Sequence, residues 1–398
     1  MMRENEMVRD AEHGAQSPVR RESEQSPAAS PGGDGGRAAP SARTLTTWVA
    51  GAALVVLLAV LPLLNLSLPG ILPGPTYTPG ALQVLAFALL TAALALSYHL
   101  LFGVSGLLSF GHALYFAAGA YGLAILLDRA QMGLLPAIGV TLVIGLVLAA
   151  LTGAVSLRVT GISFAMVTLA FAQAGSVIVR RNPDRLTGGE EGLALNTDRL
   201  PELLVGVVNT KYLYWVALVV LLLVYAVVAW IEHSRAGHLM AATRENELRV
   251  RVIGQRPYVI KLIAFVVAGV LATVVGMANL LLQSGAVPRA ISTDFTLTLL
   301  VMVVLGGVGS RWGAIVGGVL YTLLDQRLNA LASSAWIEEL PSVLRIPLSE
   351  PLFLLGTLFI LVVLFLPGGI AGAVGRVDAR NRRRTGKADP RTLLEEVV

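Results

Sequence analysis

Long apolar runs without a charged residue in their middles recur along this chain, and they constrain its fold more than any motif. They occupy residues 45–66, 81–102, 107–127, 134–157, 162–179, 213–231, 259–282, 295–305, 313–324 and 352–366. A helix needs about 20 apolar residues to cross the hydrocarbon core of a bilayer. Most of these runs have that length, and as a set they are rich in Leu and Ala. They lack the period-two alternation of barrel strands. Only 14% of the 398 residues are charged, against about 25% in soluble domains. The expectation is an all-α, polytopic helical membrane protein of about ten transmembrane segments.

Three regions follow. Residues 1–44 are rich in Ser, Pro, Gly, Glu and Arg; such a stretch buries too little apolar surface to offset its ordering entropy and reads as a disordered tail. Residues 45–370 form the membrane domain, and residues 371–398 a basic tail. Lys and Arg near span ends set orientation. Residues 232–257 carry Arg235, Arg244, Arg249, Arg251 and Arg256, and the C-terminal tail carries a second basic cluster. Both are expected in the cytoplasm. Six spans precede the first cluster and four separate the two, so the N-terminus is expected there too.

Asp128, Arg129, Asp294 and Asp325 lie at run ends. Proton-driven carriers usually need a buried carboxylate, so the pattern argues for a neutral or zwitterionic cargo. The polar residues inside the spans cluster at glycines. The first cluster holds Gly103, Ser105, Gly106, Ser109, Gly111 and His112. Glycine in a helix costs about 1 kcal/mol relative to alanine, and broken helices at membrane depth survive only when buried or lining a polar cavity. Because its hydroxyls and imidazole exceed what packing needs, this cluster is a candidate translocation path. A second cluster holds Gly306, Gly309, Gly313 and Gly317, and the four-residue spacing of Gly309, Gly313 and Gly317 reads as small-residue helix packing. A path role there is the alternative.

Other chemistries find little support. With no cysteine, disulfides and thiolate ligands are excluded. His99 and His112 lack the spacing of a metal motif. Gly103-Val104-Ser105-Gly106 is similar to the serine motif of rhomboid proteases, but no later span supplies a histidine base. No catalytic residue, metal or bound cofactor is expected. No phosphate-binding loop occurs, so any nucleotide hydrolysis must come from a separate subunit. The segment around residues 239–250 looks helical, with Leu239, Met240, Thr243, Asn246 and Val250 on one apolar face and Gly254 as its stop. It suits docking to a soluble partner; a solvated connector is the alternative.

At these residues the chain resembles the permease subunits of bacterial ABC importers for branched-chain amino acids, the LivM-like type in particular. Four stretches carry the resemblance: 102–121; 164–171 with Thr187, Gly188, Gly189 and Gly192; 237–254 around Arg244-Glu245-Asn246-Glu247; and 302–318. It implies a multi-pass subunit of the bacterial inner membrane with Gly-broken helices and a cytoplasmic coupling helix. It adds Thr168, Thr187, Gly188 and Gly189 to the path candidates. Arg244, Glu245, Asn246, Glu247 and Gly254 become the ATPase-coupling loop, although Arg249-Val250 replaces the two small residues common in such loops. The implied partners are a second homologous permease, two ATP-binding subunits, an extracytoplasmic binding protein and membrane lipid, without nucleic acid. Urea, sugar and nucleoside permeases share the superfamily. A passive channel or ion-driven carrier is the other class of reading.

Overall fold

Helix α2 (Pro79–His99) occupies the centre of the fold because it is apolar on every side. From Ala88 to Leu101 every residue is buried. A helix without a polar face has no stable place except inside a bundle. Its alanines let neighbours come close, as at Gly318, where an added Cβ would meet Ala92 Cα at 2.7 Å. Thr91 and Thr322 share a 2.6 Å hydrogen bond across the same contact.

The structure, a computed structural model, describes residues 42–66, 72–332, 349–366, 368–373 and 376. The N-terminal tail before residue 42 and most of the C-terminal tail lie outside the described residues. Residues 1–52 and 53–398 are separate compact units. The first is described only through the start of α1 (Ala42–Val60). The remaining helices are α3 (His112–Asp128), α4 (Leu134–Ser156), α5 (Ile162–Arg181), α6 (Thr210–His233), α7 (Arg235–Glu245), α8 (Glu247–Val252), α9 (Pro257–Gln283), α10 (Thr293–Gly306), α11 (Arg311–Ala332) and α12 (Pro351–Phe365). The only strands among the described residues are β1 (Leu193–Ala194) and β2 (Gly285–Ala286), paired antiparallel with Leu193 opposite Ala286.

The helices pass back and forth between two ends. At one, here the loop end, lie α7 and α8, the end of α6 and the start of α9. The far end holds the connections α3–α4, α5–α6 and α9–α10, tied together by the β1–β2 pair and by Arg129 donating to the Arg185 carbonyl at 2.8 Å. Five segments are long and apolar enough to cross a membrane: Pro79–Val104, Leu134–Ser156, Ile162–Arg181, Val207–His233 and Pro257–Gln283. Shorter apolar helices accompany them, including α3 and α10. This is a polytopic helical membrane protein.

Helix α4 shows the membrane pattern inverted from a soluble one. Its buried stripe is small: Ala137, Thr141, Gly145, Ala149, Gly153 and Ser156. Its exposed side is large: Val143, Ile144, Val147, Leu151 and Val155. Lipid tails are as apolar as these side chains, so burying them gains little, whereas small residues allow close backbone packing. The stripe lies on α9, where a Cβ on Gly269 would meet that of Ala149 at 2.8 Å. Helices α3 and α9 approach similarly, with Gly119 against the Thr273 carbonyl and Gly276 against that of Phe116.

Three expectations are corrected in detail. The run 107–127 is helical only from His112, because 105–111 returns from the end of α2 as non-helical chain. The run 313–324 belongs to a longer helix reaching Ala332, which carries Asp325 within α11. The small-residue spacing misreads Gly309, which sits in the α10–α11 turn at φ +96° with no atom within 4 Å of an added Cβ. Gly306, Gly313 and Gly317 do pack: Gly313 lies on the Gly306 backbone and Gly317 on the Met302 carbonyl.

Candidate functional site

The site is built where α2 stops being a regular helix. Leu100–Val104 form a π-helical turn, and Gly103 makes room for the His99 ring one turn earlier. Gly106 follows at φ +69°, a conformation that L side chains rarely adopt. The chain then runs beside its own helix until α3 begins at His112.

Such a segment must satisfy its polar groups inside the protein, and it does so with its own hydroxyls and imidazole together with Ser97 and Tyr98 of α2. Tyr98 Oη donates to the Ser109 carbonyl at 3.0 Å, and Gly111 N–H donates to Ser109 Oγ at 3.2 Å. Ser105 Oγ donates to the Leu100 carbonyl at 3.1 Å. Ser97 Oγ donates to the Leu94 carbonyl at 2.7 Å and lies 2.9 Å from His112 Nε2. With its one proton committed, Ser97 accepts from His112, which places the imidazole proton on Nε2. Tyr98 and Tyr115 meet the imidazole edge-on, with ring centroids 5.2 and 6.3 Å away.

Thr168 joins this cluster from α5. Its Oγ accepts from Phe110 N–H at 3.1 Å, and Gly111 lies close against its carbonyl. Gly103, Ser105, Gly106, Ser109, Gly111, His112 and Thr168 therefore form one place. Thr187, Gly188 and Gly189 do not belong to it; they lie past the other end of α5. There Asn182, at φ +49°, organises the turn. Its Oδ1 accepts from Thr187 N–H at 2.9 Å and Gly188 N–H at 3.1 Å, while Thr187 Oγ donates to the Val179 carbonyl at 2.6 Å. Positive φ at Gly188, Gly189 and Gly192 carries the chain around to β1. Asn182 was not singled out in the sequence; its place just before a proline and a glycine pair was the available signal.

The loop-end helices press on the broken segment directly. The Arg244 guanidinium donates to the Gly103 carbonyl, and a Cβ on Gly106 would meet Arg244 Cγ at 2.7 Å. The single helix expected here is two. Asn246 ends α7 and caps α8, accepting from Leu248 N–H at 2.9 Å and Arg249 N–H at 3.1 Å. An Asn cap satisfies helix-start donors and turns the chain. The expected outer apolar face is also corrected. Met240, Thr243 and Val250 are buried, whereas Leu248, Val252 and Ile253 are exposed. Gly254, at φ +81°, closes α8: its N–H bonds the Arg251 carbonyl and the next N–H bonds that of Val250, the pattern of a Schellman stop.

Two ionic groups complete this end. Glu232 lies 3.1 Å from His99 Nε2 and 2.8 Å from Arg311 Nε, joining α6, α2 and α11. Glu247 pairs with Lys261 and lies 3.7 Å from Arg251. Sequence reading missed Glu232 because a single acid at a span end carries no periodic signal. Ser105 has no histidine among its hydrogen-bond partners, and His99 and His112 serve different contacts. The arrangement is that of a braced, internally hydrogen-bonded break in a helix.

A family model described as branched-chain amino acid transport system / permease component matches residues 80–372. The high-affinity branched-chain amino acid transport system permease protein LivM of Salmonella typhimurium is 27% identical over 263 residues, covering 61% of this chain and 62% of that protein. The Escherichia coli protein of the same name is 26% identical over the same length and shares. The chain thus spans about three fifths of the length of these curated relatives. The ribose import permease protein RbsC of Escherichia coli is 30% identical over 118 residues, 28% of this chain and 36% of that protein.

Proposed function

We propose that this chain, which belongs to the family of branched-chain amino acid transport system permease components, is the membrane subunit of an ATP-driven importer for branched-chain or other hydrophobic amino acids. The observation that carries this reading is the bond from Arg244 to the Gly103 carbonyl. It gives a loop outside the spans a direct hold on the broken segment within them.

The partners are a second related permease, two ATP-binding subunits and an extracytoplasmic substrate-binding protein. The chain sits in a bacterial inner membrane with both termini in the cytoplasm. The arginine cluster of the α7–α8 loop supports that orientation. Glu245, Leu248, Arg249, Val252 and Ile253 lie exposed on this loop, toward the ATP-binding subunits. When those subunits close, α7 and α8 move together. Arg244 then draws on Gly103 and Gly106, and the 105–111 segment shifts against Thr168 and His112. No residue of the chain reacts with cargo or nucleotide, and the chain binds no cofactor. Transport here is a change of access.

The ribose permease match over 118 residues supports a second reading, in which the cargo is a sugar. One experiment separates the readings. The chain is reconstituted in vesicles with a related permease, ATP-binding subunits and an extracytoplasmic binding protein. Uptake of leucine, ribose and urea is measured with and without ATP. Leucine uptake that requires ATP and all partners is the expected result. ATP-dependent uptake of ribose or urea without leucine would reassign the cargo. Uptake by the chain alone, without ATP, would replace the importer reading with a passive channel.

A further inference from the structure

A cleft of about 840 Å³ opens at the loop end, between the 106–110 segment, the α4–α5 turn and the starts of α8 and α9. Its charged lining is Arg158, Arg251 and Lys261 against one acid, Glu247. Three positive charges and one negative leave +2. Glu247 is engaged by Lys261 and Arg251, while Arg158 has no ion-pair partner among the described residues.

Apart from Thr160 and Tyr258, the uncharged walls are apolar and include Leu108, Phe110, Ile162 and Phe164. The 20-residue helix α5 starts on one wall, and no side chain caps it. Its first amide donors and its dipole therefore add to the positive field. The residues beside the cleft mark its position in the bilayer. Val155, Ile162, Val259 and Ile263 are 50%, 82%, 44% and 45% exposed, and such exposure of aliphatics on spanning helices faces lipid. Apolar walls, a net positive mouth and adjoining lipid-facing helices occur together at helix ends, at the depth of phospholipid headgroups.

We propose that this cleft binds an anionic phospholipid of the adjoining leaflet, its phosphate at Arg158 and Arg251 and its upper acyl chains against Leu108, Phe110, Ile162 and Phe164. The +2 lining selects an anionic over a zwitterionic headgroup, since a zwitterion brings no net charge to neutralise it. The bound lipid sits between α8 and the start of α5, against the 106–110 segment. Its presence there stiffens the contact between the loop and the broken helix. This site is independent of what the permease carries.

The test uses the purified full-length chain in detergent. Phosphatidylglycerol, phosphatidylcholine with the same acyl chains, or inorganic phosphate is added, and bound lipid is read by native mass spectrometry beside thermal unfolding. Preferential retention of phosphatidylglycerol is expected. Arg158→Gln should weaken it on the order of fivefold, and Arg158→Gln with Arg251→Gln by the product of two such steps, since each basic residue at a membrane surface contributes about 1 kcal/mol. Arg181→Gln, at the far end, should leave retention unchanged. Arg158 is exposed and unpaired, so its single variant folds normally and keeps the test valid if the double variant does not. Equal retention of the two lipids, or retention unaffected by Arg158→Gln, overturns the proposal. Equal stabilisation by phosphate alone, or displacement of the lipid by leucine, reassigns the cleft to a free anion or to cargo and overturns it as well.

Discussion

Arg244 reaches across 141 positions of sequence to donate a hydrogen bond to the carbonyl of Gly103. It thereby fastens α7 to the point where α2 unwinds. A charge-assisted hydrogen bond contributes about 1.5–3 kcal/mol, and exposure of Arg244 lowers that. Arg244→Ala is expected to leave membrane insertion intact and to lower ATP-dependent uptake on the order of tenfold. ATP hydrolysis should persist in the assembled complex. Measuring uptake and hydrolysis together decides the matter, and unchanged uptake would remove the coupling role of this contact.

Glu232 is the hinge of a second connection. It bonds both His99, 1% exposed, and Arg311, 25% exposed, and is itself 20% exposed. Glu232→Gln should lower stability by about 2 kcal/mol, less than the 3–5 kcal/mol of a fully buried pair because water reaches this one. Thermal unfolding in detergent measures it. Adding Arg311→Gln to that variant should cost little more, since both changes break the same contact.

Gly276 lies against the Phe116 carbonyl, where no neighbour can yield without moving backbone. Gly276→Val should destabilise by about 3 kcal/mol, the upper range for overpacking. Gly139, on α4 with nothing within 4 Å of an added Cβ, should accept valine with a change of about 0.5 kcal/mol or less. Expression and melting of the two variants side by side test whether close helix approach, not glycine content, holds α3 to α9.

Asn182 Oδ1 accepts two hydrogen bonds, from the Thr187 and Gly188 amides. Asn182→Gly keeps the left-handed backbone and removes the acceptor; Asn182→Ala removes both. Both variants should open the 182–209 segment to limited proteolysis, and the alanine variant should lose a further ~1 kcal/mol of stability. Equal cleavage of both variants and the unaltered chain would show that the turn holds without this side chain.

Ser105→Ala should leave transport unchanged, because its hydroxyl serves only the Leu100 carbonyl, which also accepts from the Ser105 amide. A large loss of uptake in a correctly inserted variant would contradict that structural role.

The polytopic helical class was legible in the sequence because a span announces itself locally: about 20 apolar residues suffice, whatever they pack against. The break after α2 was legible for a similar reason, since clustered glycines and hydroxyls are conspicuous in an apolar run. Gly309 shows the limit. Four-residue spacing cannot tell a packed helix from a turn that follows one, and only the backbone dihedral separates them. The loop misled likewise: Asn246 fits a helical face by spacing, yet its side chain caps a new helix and reverses which apolar residues are exposed.

By itself, the sequence determined that this chain is a multi-span helical protein and which segment departs from helix. Tertiary structure alone decided that Thr168 joins His112 while Thr187 does not, and that Glu232 binds two helices. It also decided that Arg244 grips Gly103. The reason is physical. Helix formation in a membrane is enforced locally by unsatisfied backbone groups, whereas contacts across the bundle depend on which small residues let two backbones meet, and no single segment carries that information.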